Sequence, residues 1–378
     1  MIERRQLENC RLSCEDPRVS STPDLYEPDR KLRSRLLRGT AGVALVLVLA
    51  YSIMLVVTGR SSILESLANL DPRLALLPFI ATFLSYGTMS LSYEGIVRAA
   101  GATIRSRDML RITFIANTAN YVLPSGGLTG FALRLVFFTR RGISAGRAVS
   151  ISFTQTMLTN LMLVVFVVFG LLNLLASRTI GGFSLVAALI MAFGLIMMLL
   201  VCLAMIYRPS VRAPILEFVA RVSDRILELT RQHERFGPRV RRLLAHVGEG
   251  MDLVAKQPAA MIVPSLWIFL DWLFMIGTLY LGFYATGYPI TFSAVTIAFS
   301  VSIILAIVSF VPGGAGVLEG ALAATFLGLG VPLQDSLLPI FIYRISYFGF
   351  PALVALVVLR GAFRDMTPAE AEMAEEAM

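Results

Sequence analysis

Cysteine is scarce in this chain, with Cys10, Cys14 and Cys202 the only three among 378 residues. That excludes a secreted disulfide scaffold. The pair Cys10-x3-Cys14 on its own falls short of the four ligands a structural zinc takes. Histidine is scarcer still, with His233 and His246 alone, and both read as surface residues. The sequence has no G-x-x-x-x-G-K-[ST] loop and no strand leading into G-x-G-x-x-G, so neither nucleotide-binding signature is present and no cofactor is expected. Charge is low as well. Only 15% of residues are charged against 56% apolar, and the mean hydropathy is +0.75. Soluble proteins carry about 25% charged residues, so the soluble domains that this length would otherwise suggest are excluded. Lysine is nearly absent: 31 of the 33 bases are arginine, and the formal charge is +8. Whether that surplus serves a polyanion depends on where the arginines fall.

What the sequence has instead is long apolar runs. Six are nearly free of charge: 41–58, 74–93, 149–175, 183–207, 259–285 and 336–360. Each reaches or approaches the ~20 residues that cross a ~30 Å hydrocarbon core as a helix. The first follows forty residues holding nine bases, so it reads as an uncleaved span rather than a signal peptide. Two further runs, 113–139 and 291–330, are interrupted at Pro124-Ser125-Gly126-Gly127 and Pro312-Gly313-Gly314-Ala315-Gly316. Proline and glycine unwind a helix, and unwound backbone at membrane depth survives only in protein or beside a cavity.

The arginines set the orientation. With the N-terminus in the cytoplasm, 28 of the 33 bases fall in cytoplasmic segments, three (Arg60, Arg73 and Arg178) fall outside, and Arg134 and Arg344 lie inside apolar runs. This is a strong positive-inside pattern; it leaves no basic face for nucleic acid. Laying Pro124 over Pro312 aligns ANYVLPSGG with IVSFVPGGA, each preceded and followed by a long span. The two units then run in opposite senses, one broken hairpin entering from each side. The predicted fold is an all-α polytopic membrane protein with six spans and two re-entrant hairpins in an inverted repeat, the transporter pattern. The limbs of the first hairpin read as about 11–13 residues, too short to cross. Those of the second read as about 17–20, so eight spans is the alternative.

Ionisable groups at membrane depth are costly and face partners or cavities. Here they are Arg134, Asp271, Glu319 and Arg344. Glu319 and Arg344 are expected to pair, with Asp271 close by, either as a structural lock or with Arg134 or Arg344 holding an anionic lipid phosphate through the guanidinium fork. Asn117 and Asn120 share one helix face, and Gln155 and Asn160 lie on the next span. These amides serve helix–helix bonding or a headgroup. The backbone amides of Ser125, Gly126 and Gly127, and of Gly313, Gly314 and Gly316, offer a second way to hold an anion. The candidate substrate site is therefore Asn117, Asn120, Ser125–Gly127, Arg134, Gln155, Asp271, Gly313, Gly314, Gly316, Glu319 and Arg344, with no catalytic or metal site.

The polar parts divide into a basic tail, 1–40, and an acidic tail, 361–378, around a membrane region, 41–360. Within that region, 208–258 carries two apolar stripes at helical spacing under an arginine-rich surface. These read either as elbows on the anionic inner leaflet or as a helical hairpin packed on the bundle.

The segment from Phe310 to Val358 carries Pro312, Gly313, Gly314, Gly316, Val317, Glu319, Gly330, Val331 and the central Arg344. It resembles the C-terminal signature of the lysylphosphatidylglycerol synthase transmembrane-region family, also called flippase-like proteins. Pro124, Gly126, Gly127 and Arg134 are similar to the family's first glycine turn and its arginine, with Thr129-Gly130 where an acid often stands. The resemblance implies a polytopic inner-membrane protein that moves lipids between leaflets, here stand-alone without an aminoacyltransferase domain. The arginine distribution places both termini in the cytoplasm, and with no nucleotide-binding motif, energy for transport is expected from a gradient or from downstream consumption. Two other readings stay open: a non-transporting partner of a lipid-synthesis enzyme, and a membrane-embedded lipid transferase. A homo-oligomer is also left open.

Overall fold

The computed structural model describes residues 70–122, 128–176, 203–229, 233–309 and 314–362, with Val311 and scattered positions between 193 and 201. The readings for both tails, the run 41–58, most of 183–207, the three cysteines, and the turn residues Ser125, Gly126, Gly127 and Gly313 lie outside the described residues. Among the described residues every regular element is helical. In chain order they are α1 (Leu77–Ala99, entered through a 3-10 turn at Leu74–Leu76), α2 (Ser106–Val122), α3 (Leu128–Thr139) and α4 (Ala145–Ala176). Then come α5 (Pro209–Leu229), α6 (His233–Lys256), α7 (Pro258–Ala285) and α8 (Phe292–Val308). Last are α9 (Val317–Gly328), α10 (Leu333–Arg344), a π-helical turn (Ile345–Gly349) and α11 (Phe350–Ala362).

Four stretches are long and apolar enough to cross a membrane: Leu74–Ala99, Ala145–Gly170, Pro258–Ala285 and Leu333–Val358. They match four of the six predicted spans. Their outward faces expose large apolar side chains, among them Ile262 at 59% and Val357 at 76%. Such a surface is unfavourable in water and is the ordinary surface of a helix in lipid.

The hairpins correct the sequence reading in both directions. The first limb, α2, begins at Ser106 and has 17 residues, longer than the apolar run implied. The second hairpin is shorter than expected: α8 has 17 residues and α9 only 12. The chain turns after Gly328, where Gly330 at φ +85 takes the left-handed conformation that closes the helix. Both hairpins therefore have one limb of 17 and one of 12 residues. A 12-residue limb is about 18 Å long, well short of a ~30 Å core.

Contacts show the inversion directly. α1 and α7 pack antiparallel over their full length. Asp71 N–H donates to the Ala285 carbonyl (3.1 Å), Thr82 Oγ1 lies 3.5 Å from Thr278 Oγ1, and Gly95 seats against the Pro264 ring. The remaining pairs are reciprocal: α2 packs on α11 and α8 on α4, while α3 adjoins α4 as α9 adjoins α10. The first hairpin has its ends at the α7-start end of the bundle, where Arg141 lies 3.6 Å from Asp108. The second has its ends at the Ala285 end, where Phe292 meets Tyr280 and Phe326 meets Phe283.

For the polar loop, the packed hairpin is the reading that holds. α6 lies along the start of α4: Ser150 Oγ donates to the His246 carbonyl (2.8 Å) and Thr154 Oγ1 to that of Gly250 (3.3 Å). Arg241–Asp224 and Arg212–Asp252, each at 2.6 Å, tie α5 to α6. His246 is consequently half-buried against Gly146, with Nδ1 3.0 Å from Glu249. Its reading as a plain surface residue is corrected.

Candidate functional site

The two hairpin tips converge on the middle of the last span. At the first tip, Tyr121 packs on Phe348 with ring centroids 4.6 Å apart. At the second, the Gly314 carbonyl accepts a 3.0 Å hydrogen bond from Arg344 Nη2. Between the two contacts lies the π-helical turn, in which Phe350 N–H bonds back five residues to the Ile345 carbonyl. Pro351 explains the turn, because it has no N–H to give the Tyr347 carbonyl and the α ladder cannot continue there. Single π-turns inside α-helices are frequent at functional sites.

The predicted Glu319–Arg344 pair is present. Arg344 is buried at 3% exposure; its Nη2 donates to Glu319 Oε2 (2.8 Å), and its Nε lies 2.7 Å from Oε1. The guanidinium also lies 4.2 Å over the Phe348 ring. Glu319 caps its own helix as well, since Gly316 N–H donates to Oε2 (2.8 Å). The Gly314 amide is likewise taken, by the Val311 carbonyl (2.9 Å). The expectation that the amides of Gly314 and Gly316 are free for an anion is corrected: the turn satisfies itself.

Arg134 differs. It is 6% exposed, on α3, and its Nη2 donates to Asn117 Oδ1 of α2. Its guanidinium lies 5.0 Å from the Tyr93 ring centroid. No carboxylate reaches it among the described residues, and Nε has no hydrogen-bond partner there. Asn120, the second predicted amide, accepts from Gly130 N–H (2.6 Å) and closes the first hairpin. Gln155 accepts from Ser92 Oγ (2.9 Å), joining α4 to α1.

Asp271 does not adjoin Arg344 as an ion pair; this part of the expectation is corrected. It accepts a hydrogen bond from Ser85 Oγ across the α1–α7 seam. Ser85 Oγ is 3.2 Å from Tyr347 Oη, and the Tyr347 ring lies with its centroid 6.5 Å from that of Tyr121. Ser85 and the tyrosines were not singled out from sequence, because both residue types occur throughout membrane helices for packing alone. Glu94 was also missed. It is 5% exposed and paired with Arg98; α1 runs on to Ala99, nearly two turns beyond the apolar run that marked it. A separate apolar groove of about 640 Å³ lies between α4, α7 and residues 199–207, lined among others by Phe153, Met157, Leu161, Leu203, Met261 and Phe269. None of the four intramembrane charges lines it.

Comparison with known proteins finds membrane-protein relatives over most of the chain. A UPF0104 membrane protein of Pyrococcus horikoshii is 23% identical over 322 residues, 84% of this chain and 94% of that protein. One from Methanothermobacter thermautotrophicus is 21% identical over 287 residues, covering 75% and 84%. A phosphatidylglycerol lysyltransferase of Staphylococcus haemolyticus matches at 32% identity over 88 residues, 23% of this chain and a tenth of that protein. Residues 40–355 match the family described as the lysylphosphatidylglycerol synthase TM region, and with most of its length covered the chain belongs to that family of multi-pass membrane proteins.

Proposed function

We propose that this protein is a lipid translocase of the inner membrane that carries a phosphate-bearing lipid headgroup past Arg134 while the acyl chains remain in the bilayer. The observation that carries the reading is the state of Arg134. A buried guanidinium held, among the described residues, by a neutral amide and a ring alone keeps most of its charge unneutralised, and its planar fork matches phosphate oxygens. Arg344 differs in already holding Glu319. The opposed hairpins with tips at mid-span support the same reading, since that is where transporters of inverted-repeat build place their substrates. On this reading both termini face the cytoplasm, Asn117 positions the guanidinium, and the headgroup leaves chemically unchanged.

The test is leaflet exchange of a fluorescent phosphatidylglycerol in proteoliposomes, followed by quenching from outside. Phosphatidylglycerol is chosen because the name of the staphylococcal relative specifies it. Arg134→Ala is expected to slow exchange at least tenfold at unchanged expression and melting temperature, with Arg134→Lys intermediate because it keeps charge but not the fork. Wild-type exchange in Arg134→Ala would remove the residue from the site. No exchange by the native protein would leave the non-transporting partner reading, and a change in headgroup mass the transferase reading.

A further inference from the structure

Asp271 is the buried charge that the Arg134 reading leaves without a task. It is 3% exposed in the middle of α7, and its described partner is the Ser85 hydroxyl of α1. No base comes within ion-pair distance of it among the described residues. Tyr86 and Tyr93 face it from α1, Tyr121 from α2, Tyr343 from α10 and Tyr347 from the π-turn, all five within its electrostatic range. Arg134 acts on Tyr93 and Tyr121, and Arg344 on Tyr121 and Tyr343. α8 has no titratable residue, and α4 has only the exposed Arg147 at its start. α6 reaches α7 near Lys256, at the far end. Glu94, further along α1, is taken by Arg98.

Two features go beyond a packed polar residue. The polar chain Asp271, Ser85, Tyr347 alternates between the repeat units, from α7 of the second to α1 of the first to the π-turn of the second, and Tyr121 on α2 of the first packs on Phe348 of that same turn. A rocking of one unit against the other must break it. An unpaired carboxylate at membrane depth is also costly, whereas a carboxylic acid carries no charge and can stay sealed among hydroxyls. The charge state of Asp271 and the relative position of the two units are therefore linked.

We propose that Asp271 is the proton-carrying residue of the transport cycle, so that lipid movement is coupled to a proton gradient. The proposal rests on the translocase reading. On one side of the membrane the carboxylate takes a proton from water to become the acid. After the units rearrange, the acid returns that proton to water on the other side. No electron moves and no bond to the lipid forms. The site is closely packed and made of one acid and hydroxyls, which suits a proton better than a headgroup.

Proteoliposomes holding a trace of fluorescent phosphatidylglycerol give the test. With one proton per lipid, a gradient of one pH unit shifts the steady-state ratio between leaflets about tenfold, and a protonophore abolishes the shift. Asp271→Asn, which keeps an acceptor for Ser85, is expected to exchange lipid to a ratio near one at every gradient and to lose proton flux read by an internal pH dye. Asp271→Glu is expected to restore the gradient response, which separates the proton role from folding. In infrared difference spectra, a carboxylic-acid band present in the native protein is expected to vanish in Asp271→Asn. Native protein that equilibrates lipid but ignores the pH gradient overturns the coupling and leaves the translocase reading standing. So does a ratio that follows sodium, whereas Asp271→Asn that keeps the shift overturns Asp271 as the proton carrier. Native protein that moves no lipid under any gradient overturns both.

Discussion

Arg344 and Glu319 form a buried ion pair of the interior, and their unequal burial makes a specific claim about removing either. Arg344 is 3% exposed and the Glu319 side chain 15%. Losing one member of a buried pair strands the other, at a cost of about 3–5 kcal/mol. Glu319→Gln strands the deeper group, so it is expected to destabilise the protein by about that amount. Arg344→Ala leaves a Glu319 still bonded by the Gly316 amide and nearer the surface, and is expected to cost less. The double variant should cost well under the sum of the two, because the groups share one interaction. Thermal melting of the three purified proteins checks the order. An Arg344→Ala variant less stable than Glu319→Gln would show that the Phe348 and Gly314 contacts dominate. At this scale the sequence was informative where a residue conflicts with its surroundings. Arg134, Asp271, Glu319 and Arg344 stand out because a charge in an apolar run needs a reason. Asn117, Asn120 and Gln155 stood out for their amides, and each proves to bond across helices. Ser85 and Tyr347 gave no such signal: their importance comes from facing Asp271, and that depends on the antiparallel register of α1 and α7.

The hairpins show what can be read from an element and what cannot. Proline and glycine marked both turns, but they did not mark the outer ends of the limbs. α2 reaches back through Ser106–Arg111, a polar stretch that a hydropathy reading assigns to a loop, and α9 stops at Gly328, inside a run still apolar by composition. Composition reports the solvent around a helix, whereas its ends follow from backbone geometry. The first hairpin holds its limbs together by close approach at Gly130. A Cβ there would collide with the Ala116 carbonyl and the Asn120 amide, and its N–H already donates to that amide. Gly130→Val is therefore expected to part α2 from α3 and, with them, Asn117 from Arg134. Asn120→Ala removes one hydrogen bond and is expected to cost only about 1–3 kcal/mol. The measurement is melting temperature together with cross-linking of a cysteine pair placed on α2 and α3. Equal behaviour of the two variants would mean that the approach at Gly130 is not what holds the hairpin.

On the scale of the whole molecule, the packing gathers at one end of the bundle the corners that the arginine distribution assigns to the cytoplasm. The corners joining α1 to α2, α3 to α4 and α6 to α7 lie at one end of the bundle. Gly95 against Pro264, Arg141 beside Asp108 and Gly146 against His246 fix them there. That end gathers Arg98, Arg105, Arg107, Arg111, Arg140, Arg141, Arg147 and Lys256, while Arg73 lies at the opposite end, next to the Asp71–Ala285 contact. An end so rich in arginine is the one that the positive-inside rule expects on the cytoplasmic side. A single cysteine placed by Arg73→Cys, in a background with Cys10, Cys14 and Cys202 replaced, is expected to react with a membrane-impermeant maleimide on intact cells. Arg241→Cys is expected to react only after permeabilisation. Labelling of both from the same side would break the link between the positive-inside reading and the inverted repeat, and with it the opposed entry of the two hairpins on which the placement of Arg134 at a mid-membrane site depends.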